Sequence, residues 1–330
     1  MSSSNRKSFT NDPTDGCGPN QRGRSRGSAR KRRSRASAKA IRIAALVALV
    51  VGIAFVSYPF ISNIIIQAAQ EKVARENIAA VPTAGSERLA EERASAIAYN
   101  ERMGASMAVL SDPFDPNAEI VYLDDYEQIM DLRGDGVMAS LEIPEIGVFV
   151  PVYHGTSDDV LTKGAGHLVR TSLPVGGEST HCVLVGHTGL PSVKIFDDLE
   201  KLEEGSYVIL YVLGDRLGYK VCSIEVVEPE ETSSLAIVEG RDLLTLVTCT
   251  PYGVNSHRLL VHAERCSLDD EEAQAALARA DEPSPLRWMI PLGIAIPVMV
   301  ALFCVRVLRG AKKGSAGKHA AGASKNGWRR

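Results

Sequence analysis

The sequence lacks the residue groupings by which many enzymes hold a metal ion or a phosphate-bearing cofactor. Its histidines, cysteines and carboxylates are not spaced as metal ligands, and it contains no glycine-rich phosphate loop. We also find no internal repeat. We therefore expect no metal and no cofactor, so that any chemistry must come from the side chains of the chain itself.

The two ends of the chain are strongly basic but lack interleaved aromatic residues. Residues 1–42 carry a net charge of +10 and residues 306–330 a net charge of +8, which leaves −21 on residues 43–305. Stacking aromatics usually accompany basic charge in nucleic-acid-binding segments, and each tail instead borders a hydrophobic run. We therefore expect two basic, disordered cytoplasmic tails near a membrane and no nucleic-acid partner.

Two long apolar runs can each cross a bilayer. Residues 43–66 are almost continuously apolar, and residues 288–305 include an uncharged run of about 17 residues, the lower limit for a span. The positive flanks place both termini in the cytoplasm. The sequence thus predicts a two-pass protein of the cell membrane with an acidic extracellular domain. A signal peptide is the alternative for the first run, and a buried core helix for the second.

Composition changes twice between the spans. Residues 67–136 begin as two amphipathic helical pieces, divided at Pro82–Gly85, that form either a stalk or a packed helical layer. Residues 137–266 contain regular short strands, which predict a closed β-barrel or a sandwich of mostly β structure, and residues 267–287 are expected to be a linker. The predicted strands are Val137–Ile143, Val148–Tyr153, Cys182–Val185, Tyr207–Leu213, Tyr219–Val227, Leu243–Thr248 and Arg258–Glu264.

One thiol and one guanidinium stand out in the last two predicted strands. Cys249 ends the strand Thr245–Thr248, and Arg258 begins the next strand after a turn rich in Pro, Gly and Asn. If the strands pair, both side chains share one cleft. A nucleophile that must stabilise negative charge on a neighbouring oxygen needs such a cation.

A catalytic thiol also needs a base, and His187 is the best placed of the seven histidines. It follows a buried strand that ends at Gly186, so it occupies the same kind of strand end as Cys249. We expect His187, Cys249 and Arg258 to be the catalytic residues. The candidates for the substrate pocket are His167, Thr248 and Thr250.

These residues carry a resemblance to a known family. The run Thr245-Leu246-Val247-Thr248-Cys249, the later Arg258, and the motif Gly186-His187-Thr188-Gly189-Leu190-Pro191 together resemble the sortases, the cysteine transpeptidases of Gram-positive bacteria. The resemblance implies an eight-stranded barrel and cleavage of an LPXTG-like sorting signal between Thr and Gly. It further implies a thioacyl intermediate on Cys249 and transfer to an amine.

A second motif narrows the resemblance. Asp112-Pro113-Phe114 is similar to the lid of the class C sortases, which polymerise pilins, although an ordinary Asp-Pro turn is the alternative. The lid reading implies that Asp112 pairs with Arg258 or nearby polar groups and that Phe114 covers Cys249. An exposed ion pair would contribute about 0 to 1 kcal/mol and burial of the aromatic about 1.5 to 3 kcal/mol, so we expect Phe114 to dominate closure.

The expected partners are LPXTG-bearing pilins or surface proteins and an amine acceptor, which is a pilin lysine or a cell-wall precursor. Three alternatives remain open at this point: a housekeeping sortase that attaches proteins to the cell wall, a secreted cysteine protease, and a noncatalytic membrane-tethered assembly module. Of the further extracellular cysteines, Cys182 and Cys222 are expected to be small core residues, and a disulfide between two of Cys182, Cys222 and Cys266 is the alternative.

Overall fold

The computed structural model describes residues 26–105, 110–115, 125–190, 194–280, 299–300 and 306. The chain divides into two units, one of residues 54–300 and one of residues 1–53 with 301–330. The barrel and the site described below belong to the first unit.

A long helix contains the first predicted membrane span. Helix α1 covers Arg26–Ala84, and its part Ile43–Ala84 is long and apolar enough to cross a bilayer. Residues 26–42 were expected to be disordered, but they are helical, because Ala, Arg and Lys favour helix and no proline interrupts them. Residues 1–25 and nearly all of the second predicted span lie outside the described residues.

The helical region after the span is packed on the barrel, which decides between the two predicted alternatives. Helix α2, Ser86–Ala105, begins after Gly85, whose φ of +84° is a left-handed conformation that glycine adopts easily. The Asn100 side chain donates to the Leu173 carbonyl at 3.2 Å and accepts from the Leu173 N–H at 2.7 Å. The Ser140 hydroxyl donates to the carbonyl of Ala74 in α1 at 3.0 Å. These buried bonds hold a helical layer rather than a free stalk.

Eight strands form a closed barrel in the order β1-β2-β3-β4-β7-β8-β6-β5, with β5 pairing β1. This confirms the predicted closed barrel. The strands are β1 Val137–Ile143, β2 Val148–His154, β3 Ala165–His167, β4 Thr180–Val185, β5 Tyr207–Val212, β6 Asp215–Val227, β7 Asp242–Thr250 and β8 His257–Cys266.

Seven of these strands were predicted from the sequence, and β3 was not. Ala165-Gly166-His167 is only three residues long and glycine-rich, so it has no alternating pattern to detect. It is a strand because it lies between β2 and β4 and pairs with both. A short helix, α3 Asp158–Leu161, precedes it.

The segment 267–287, expected to be a linker, contains helix α4, Glu271–Ala280. The Asp270 carboxylate caps its first turn by accepting from the Ala273 N–H at 2.7 Å. Ala273 and Ala276 pack on Tyr207 of β5. The described part of this segment therefore belongs to the folded unit.

The side chains of β7 and β8 alternate between two apolar clusters. Leu244 and Leu246 of β7 lie in the large core of the barrel, whereas Val247 and, in β8, Leu260 lie in a second cluster. Because side chains alternate along a strand, Cys249 falls on the same face as Val247. The site thus borders the second cluster, which we call the outer cluster; its buried members are Leu161, Leu168, Val183, Val185, Leu235, Val247 and Leu260.

Candidate active site

The hairpin of β7 and β8 brings Cys249 and Arg258 together. The two residues are directly opposite each other in the antiparallel register, and the next pair is Thr250 with His257. Opposite residues in such a ladder have their Cβ atoms about 4.5 to 5.5 Å apart. The thiol and the guanidinium therefore share one cleft, as the strand pattern predicted.

His187 is held at the end of β4 by bonds to β7 and to the following loop. The Gly186 N–H donates to the Val247 carbonyl at 3.0 Å, and the Thr248 hydroxyl donates to the Gly186 carbonyl at 2.7 Å. A Cβ atom on Gly186 would lie 2.5 Å from the ring of Phe196, so a larger residue does not fit there. Thr248 is thus a buried positioning residue for the His187 turn.

The Asp112 carboxylate closes over the site by a two-pronged ion pair. It accepts from Nε of Arg258 at 2.8 Å and from Nη2 at 2.6 Å. The side chains of Arg258 and Asp112 are only 10% and 13% exposed, so the expectation of an exposed pair is wrong. Nη1 of Arg258 donates to the carbonyls of Asn255 and His257, both at 3.0 Å. Four of the five N–H groups of the guanidinium are thus used in this state.

Phe114 covers the site beside the ion pair. Its ring centroid lies 5.6 Å from that of His187, and the Cζ atom of Arg258 lies 5.1 Å from the Phe114 centroid. The Phe114 N–H also donates to Oδ1 of Asp112 at 3.3 Å, so the segment is at once an Asp-Pro turn and a cover. Phe114 therefore masks the imidazole and the guanidinium.

Sequence reasoning missed two contacts that extend this cover. Leu110 packs against the outer cluster, and its carbonyl accepts from the Thr232 hydroxyl at 3.3 Å. Thr232 lies in the loop between β6 and β7, residues 228–241, which we call the β6–β7 loop. The only signal for these contacts in the sequence was that Leu110, two positions before Asp112, is apolar. That signal does not indicate which part of the chain Leu110 contacts.

We expect both anchors of the cover to matter, since the ion pair is largely buried and the Phe114 ring is half-buried against the outer cluster. Replacing Asp112 by Asn removes the charge at nearly constant shape, and Phe114→Ala removes the ring. Each change should raise the rate at which a thiol reagent labels Cys249 by at least about tenfold, which corresponds to about 1.4 kcal/mol. Mass-spectrometric labelling rates measure this.

The surface variant Asp159→Asn is the matched control, because Asp159 pairs only with Lys163 among the ion pairs of the described residues. Its labelling rate should equal that of the unmodified protein. Unchanged rates in both Asp112→Asn and Phe114→Ala would show that this segment does not cover the thiol.

Burial sets the protonation states of the closed site. Cys249 is 8% exposed, and burial raises the pKa of its thiol, against the lowering effect of Arg258 and with a further rise from Asp112. Burial lowers the pKa of His187, which is opposed by the Asp158 carboxylate 4.0 Å from Nε2. Both shifts favour the neutral thiol and the neutral imidazole, so the closed state disfavours the reactive thiolate and imidazolium.

The pH dependence of Cys249 labelling follows from the direction of its pKa shift and the causes of that shift. A thiol reacts as its thiolate, so the labelling rate rises as pH passes the pKa of Cys249. In Asp112→Ala, the thiol is better hydrated and loses a negative neighbour while it keeps Arg258, and its pKa should fall. The rise in labelling rate should therefore occur at lower pH than in the unmodified protein. A pH profile that moves to higher pH would contradict the assigned causes.

The remaining pocket candidates lie in different environments. Thr250 is half-buried opposite His257 and stays next to the thiol. His167 is fully buried in β3, where Nδ1 lies 2.8 Å from the Tyr126 hydroxyl and Nε2 lies 2.9 Å from the Ser172 carbonyl. Burial lowers the pKa of His167 to about 4. Its assignment to the substrate pocket is corrected, because both ring nitrogens are used within the core.

The other described cysteines do not resemble Cys249. Cys182, Cys222 and Cys266 are free thiols, and burial raises the pKa of Cys182 well above its ordinary value. Within the described ranges, no group of three or more His, Cys, Asp or Glu residues is arranged to hold a metal ion.

A protein-family model matches the part of the chain that forms this site. The sortase domain model matches residues 141–266, which is the barrel from β1 to β8. Together with a solved relative that is 50% identical and matched over 99% of its length, this shows that the chain belongs to the sortase family, a family of cysteine transpeptidases.

The similar solved structures are class C sortases. Sortase C-1 from Actinomyces oris is 50% identical with a TM-score of 0.51, and the match covers 55% of this chain and 99% of that one. Sortase C from Streptococcus pneumoniae, whose structure was described with regard to pilin substrate specificity, is 38% identical with a TM-score of 0.54, and the match covers 59% and 97% of the two chains.

Curated relatives match over a shorter part of the chain than the solved structures do. Sortase D from Bacillus subtilis (strain 168) is 29% identical over 128 residues, which are 38% of this chain and 62% of the relative. Sortase A from Streptococcus agalactiae is 30% identical over 131 residues, or 39% and 52% of the two chains. The chain thus spans about half to three fifths of the length of the curated relatives it matches.

Proposed function

We propose that this protein is a membrane-anchored transpeptidase that cleaves an LPXTG-like sorting signal between Thr and Gly and transfers the acyl group to a lysine of a pilin. The observation that carries the proposal is the Asp112 and Phe114 cover, which binds Arg258 and masks His187 beside Cys249. The similarity to class C sortases along nearly their whole solved length supports the pilus-specific assignment.

Acylation begins when the Cys249 thiolate attacks the carbonyl carbon of the signal's Thr. The carbonyl oxygen becomes an oxyanion, which Arg258 stabilises by charge and by its planar donors. Imidazolium His187 donates its proton to the Gly nitrogen as the C–N bond breaks. The products are a thioester on Cys249, a free amino terminus and neutral His187.

Transfer reverses these roles. Neutral His187 accepts a proton from the incoming amine, which attacks the thioester carbon. The second oxyanion collapses to an amide and expels the Cys249 thiolate, so the thiolate and imidazolium are restored. Arg258 cannot act as a base in either half, because a guanidinium stays protonated at accessible pH.

The cover must open for this chemistry to occur. In the closed state Nε and one hydrogen of Nη2 of Arg258 donate to Asp112, and Nη1 donates to two backbone carbonyls, so only one N–H of the guanidinium is left for an oxyanion. A sorting signal or a pilin that binds only the open state shifts the equilibrium by its preference for that state. The resting enzyme is thus held in a low-activity form.

The proposed location follows from α1 and from the charge of the tails. The apolar part of α1 anchors the protein, and we propose that residues 288–305 form a second span. On this topology both basic tails are cytoplasmic, and the catalytic domain of residues 137–266 lies outside the cell with its lid at residues 112–114.

The function is tested with full-length protein in detergent and an LPXTG peptide, with and without an amine acceptor. The acceptors are a pilin-derived lysine peptide and a peptide that carries the amine of the cell-wall precursor, and Asp112→Ala is assayed in parallel so that closure does not hide activity. We expect lysine-dependent amide product. Preference for the wall amine would indicate a housekeeping enzyme, hydrolysis alone a protease, and no turnover in either protein an assembly module.

A further inference from the structure

A continuous chain of hydrogen bonds crosses four neighbouring strands on the face of the barrel that carries the site. His181 of β4, Thr245 of β7, His262 of β8 and Glu225 of β6 follow the order of the strands in the barrel. Thr245 lies four residues before Cys249 and His262 four residues after Arg258, so both share the face of the catalytic pair.

The chain runs without a gap from a loop carbonyl to a carboxylate. The Ala236 carbonyl lies 2.9 Å from Nδ1 of His181, and Nε2 of His181 lies 2.7 Å from the Thr245 hydroxyl. That hydroxyl lies 2.8 Å from Nδ1 of His262, and Nε2 of His262 lies 3.0 Å from a carboxylate oxygen of Glu225. His181 and Thr245 are 1% and 0% exposed, so water cannot replace the three bonds that these two residues make, whereas Glu225 at the end of the chain is 41% exposed.

Counting hydrogens shows that the chain must hold an additional proton. Each of the four bonds needs one hydrogen, and the carbonyl and the ionised carboxylate at the two ends can only accept. The Thr245 hydroxyl and two neutral imidazoles supply three hydrogens in total. The fourth bond therefore requires that one of the two rings is an imidazolium.

The surroundings place this proton on His262. Burial lowers the pKa of His181 to about 4, with further lowering by His262 and Arg241. His262 instead faces Glu225, whose own pKa is lowered by the nearby Ser234 hydroxyl and by the His262 ring. Cys222 of β6 donates its thiol to the His262 carbonyl at 3.4 Å, and an ion pair joins Arg241, at the end of the β6–β7 loop, to Glu264 of β8.

The far end of the chain holds the β6–β7 loop in place. Ala236 follows Leu235, which is 4% exposed and belongs to the outer cluster. In the same loop, Thr232 donates to the carbonyl of Leu110 in the cover. A shift of this loop therefore changes both an apolar wall next to Cys249 and an anchor of the closed state.

We propose that His262 is a positioning residue whose second proton keeps the β6–β7 loop fixed through Thr245 and His181, and thereby sets how tightly the site holds a sorting signal. The effect on binding of a sorting signal rests on the proposed function, whereas the chain of hydrogen bonds does not. When His262 loses its proton, only three hydrogens remain for four bonds. One of the four bonds is then lost, and loss of either Thr245 bond or of the Ala236 bond breaks the connection between His262 and the loop.

The test uses full-length protein in detergent, labelled with ¹⁵N in histidine and leucine. Two-bond ¹H–¹⁵N spectra report how many nitrogens of each ring are protonated, and the amide resonance of Leu235 reports the loop. We expect hydrogens on both ring nitrogens of His262 wherever the Leu235 resonance reports the anchored loop, and on one nitrogen wherever that resonance has shifted. As pH is raised, Glu225→Gln should move the midpoint of the Leu235 shift to lower pH, because the neighbouring charge is lost.

Two substitutions at position 262 separate the proton from the bulk of the ring. His262→Gln lacks the extra proton and should raise KM for the sorting peptide about fivefold with little change in kcat, the effect expected for one lost hydrogen bond. His262→Arg carries a permanent charge and should restore the low KM. The ratio of KM between the unmodified protein and His262→Arg should increase through the Leu235 midpoint.

His257→Gln is the control, since His257 lies 3.2 Å from Glu228 at the start of the same loop and could impose a pH dependence of its own. Its Leu235 midpoint should be unchanged. Loss of the His262 proton without any shift at Leu235, or a proton found on His181 instead, would overturn the proposal. Failure of every protein to turn over the peptide would refute the proposed function while the spectra still decide the proton chain.

Discussion

Replacing Cys249 by alanine is expected to abolish the thioacyl intermediate and to lower the rate of peptide cleavage by about 10⁴-fold or more, the scale on which loss of a catalytic nucleophile acts. Among the described residues, Cys249 is the thiol that stands opposite a guanidinium, and Arg258 lowers its pKa against the effect of burial. Mass spectrometry of the protein after incubation with an LPXTG peptide detects the adduct, and chromatography measures the cleavage rate.

Cys222→Ala is the matched control for this prediction. Cys222 is an exposed thiol of β6 and lies outside the Cys249, His187 and Arg258 set. The control should form the adduct at the normal rate. An adduct on Cys182 or Cys222 in the Cys249→Ala protein would show that the nucleophile was assigned to the wrong thiol.

Arg258→Lys is expected to separate access to the site from catalysis. The ammonium keeps the positive charge but loses the planar donors that hold Asp112 at 2.8 and 2.6 Å. The cover should therefore open more often, and labelling of Cys249 by a thiol reagent should rise. Peptide turnover should nevertheless fall by about 10²- to 10³-fold, because the oxyanion loses its fitted donor.

In Arg258→Lys, labelling should become faster while turnover becomes slower. A general loss of folding would not produce this pair of opposite changes. Arg93→Lys is a suitable control. Arg93 forms an ion pair with Asp215, with 2.6 Å between Nη2 and Oδ2, and neither residue belongs to the site. It should change neither rate. Turnover close to normal in Arg258→Lys would remove the guanidinium from the mechanism and leave it a role in closure alone.

The contrast with Asp112 variants has a bearing on regulation. Loss of Asp112 and loss of the Arg258 fork both release the cover, yet only the first leaves the catalytic donors intact. An Asp112 variant should thus be more active than the unmodified enzyme with a free peptide, and Arg258→Lys less active. The same ion pair that stabilises the resting state withholds the catalytic guanidinium from substrate.

The sequence alone determined the strands and the three catalytic candidates. Seven strands were predictable because short β-branched and apolar runs between turn residues are typical of strands, and β1 was predicted with its observed bounds, Val137–Ile143. Cys249 and Arg258 were predictable as neighbours because a single short turn joins their strands. His187 was predictable because a strand that ends at Gly186 places the next residue at the barrel rim.

Only the tertiary structure decided which polar groups are buried and which residues they form hydrogen bonds and ion pairs with. It placed Asp112 on Arg258 across 146 residues of sequence and made that pair buried rather than exposed. It enclosed His167 in the core and assembled the chain from His181 to Glu225 over four strands. Local patterns follow from the covalent spacing of side chains along one element. Burial and hydrogen-bond partners depend on which distant segments pack together, and that information is spread over the whole fold.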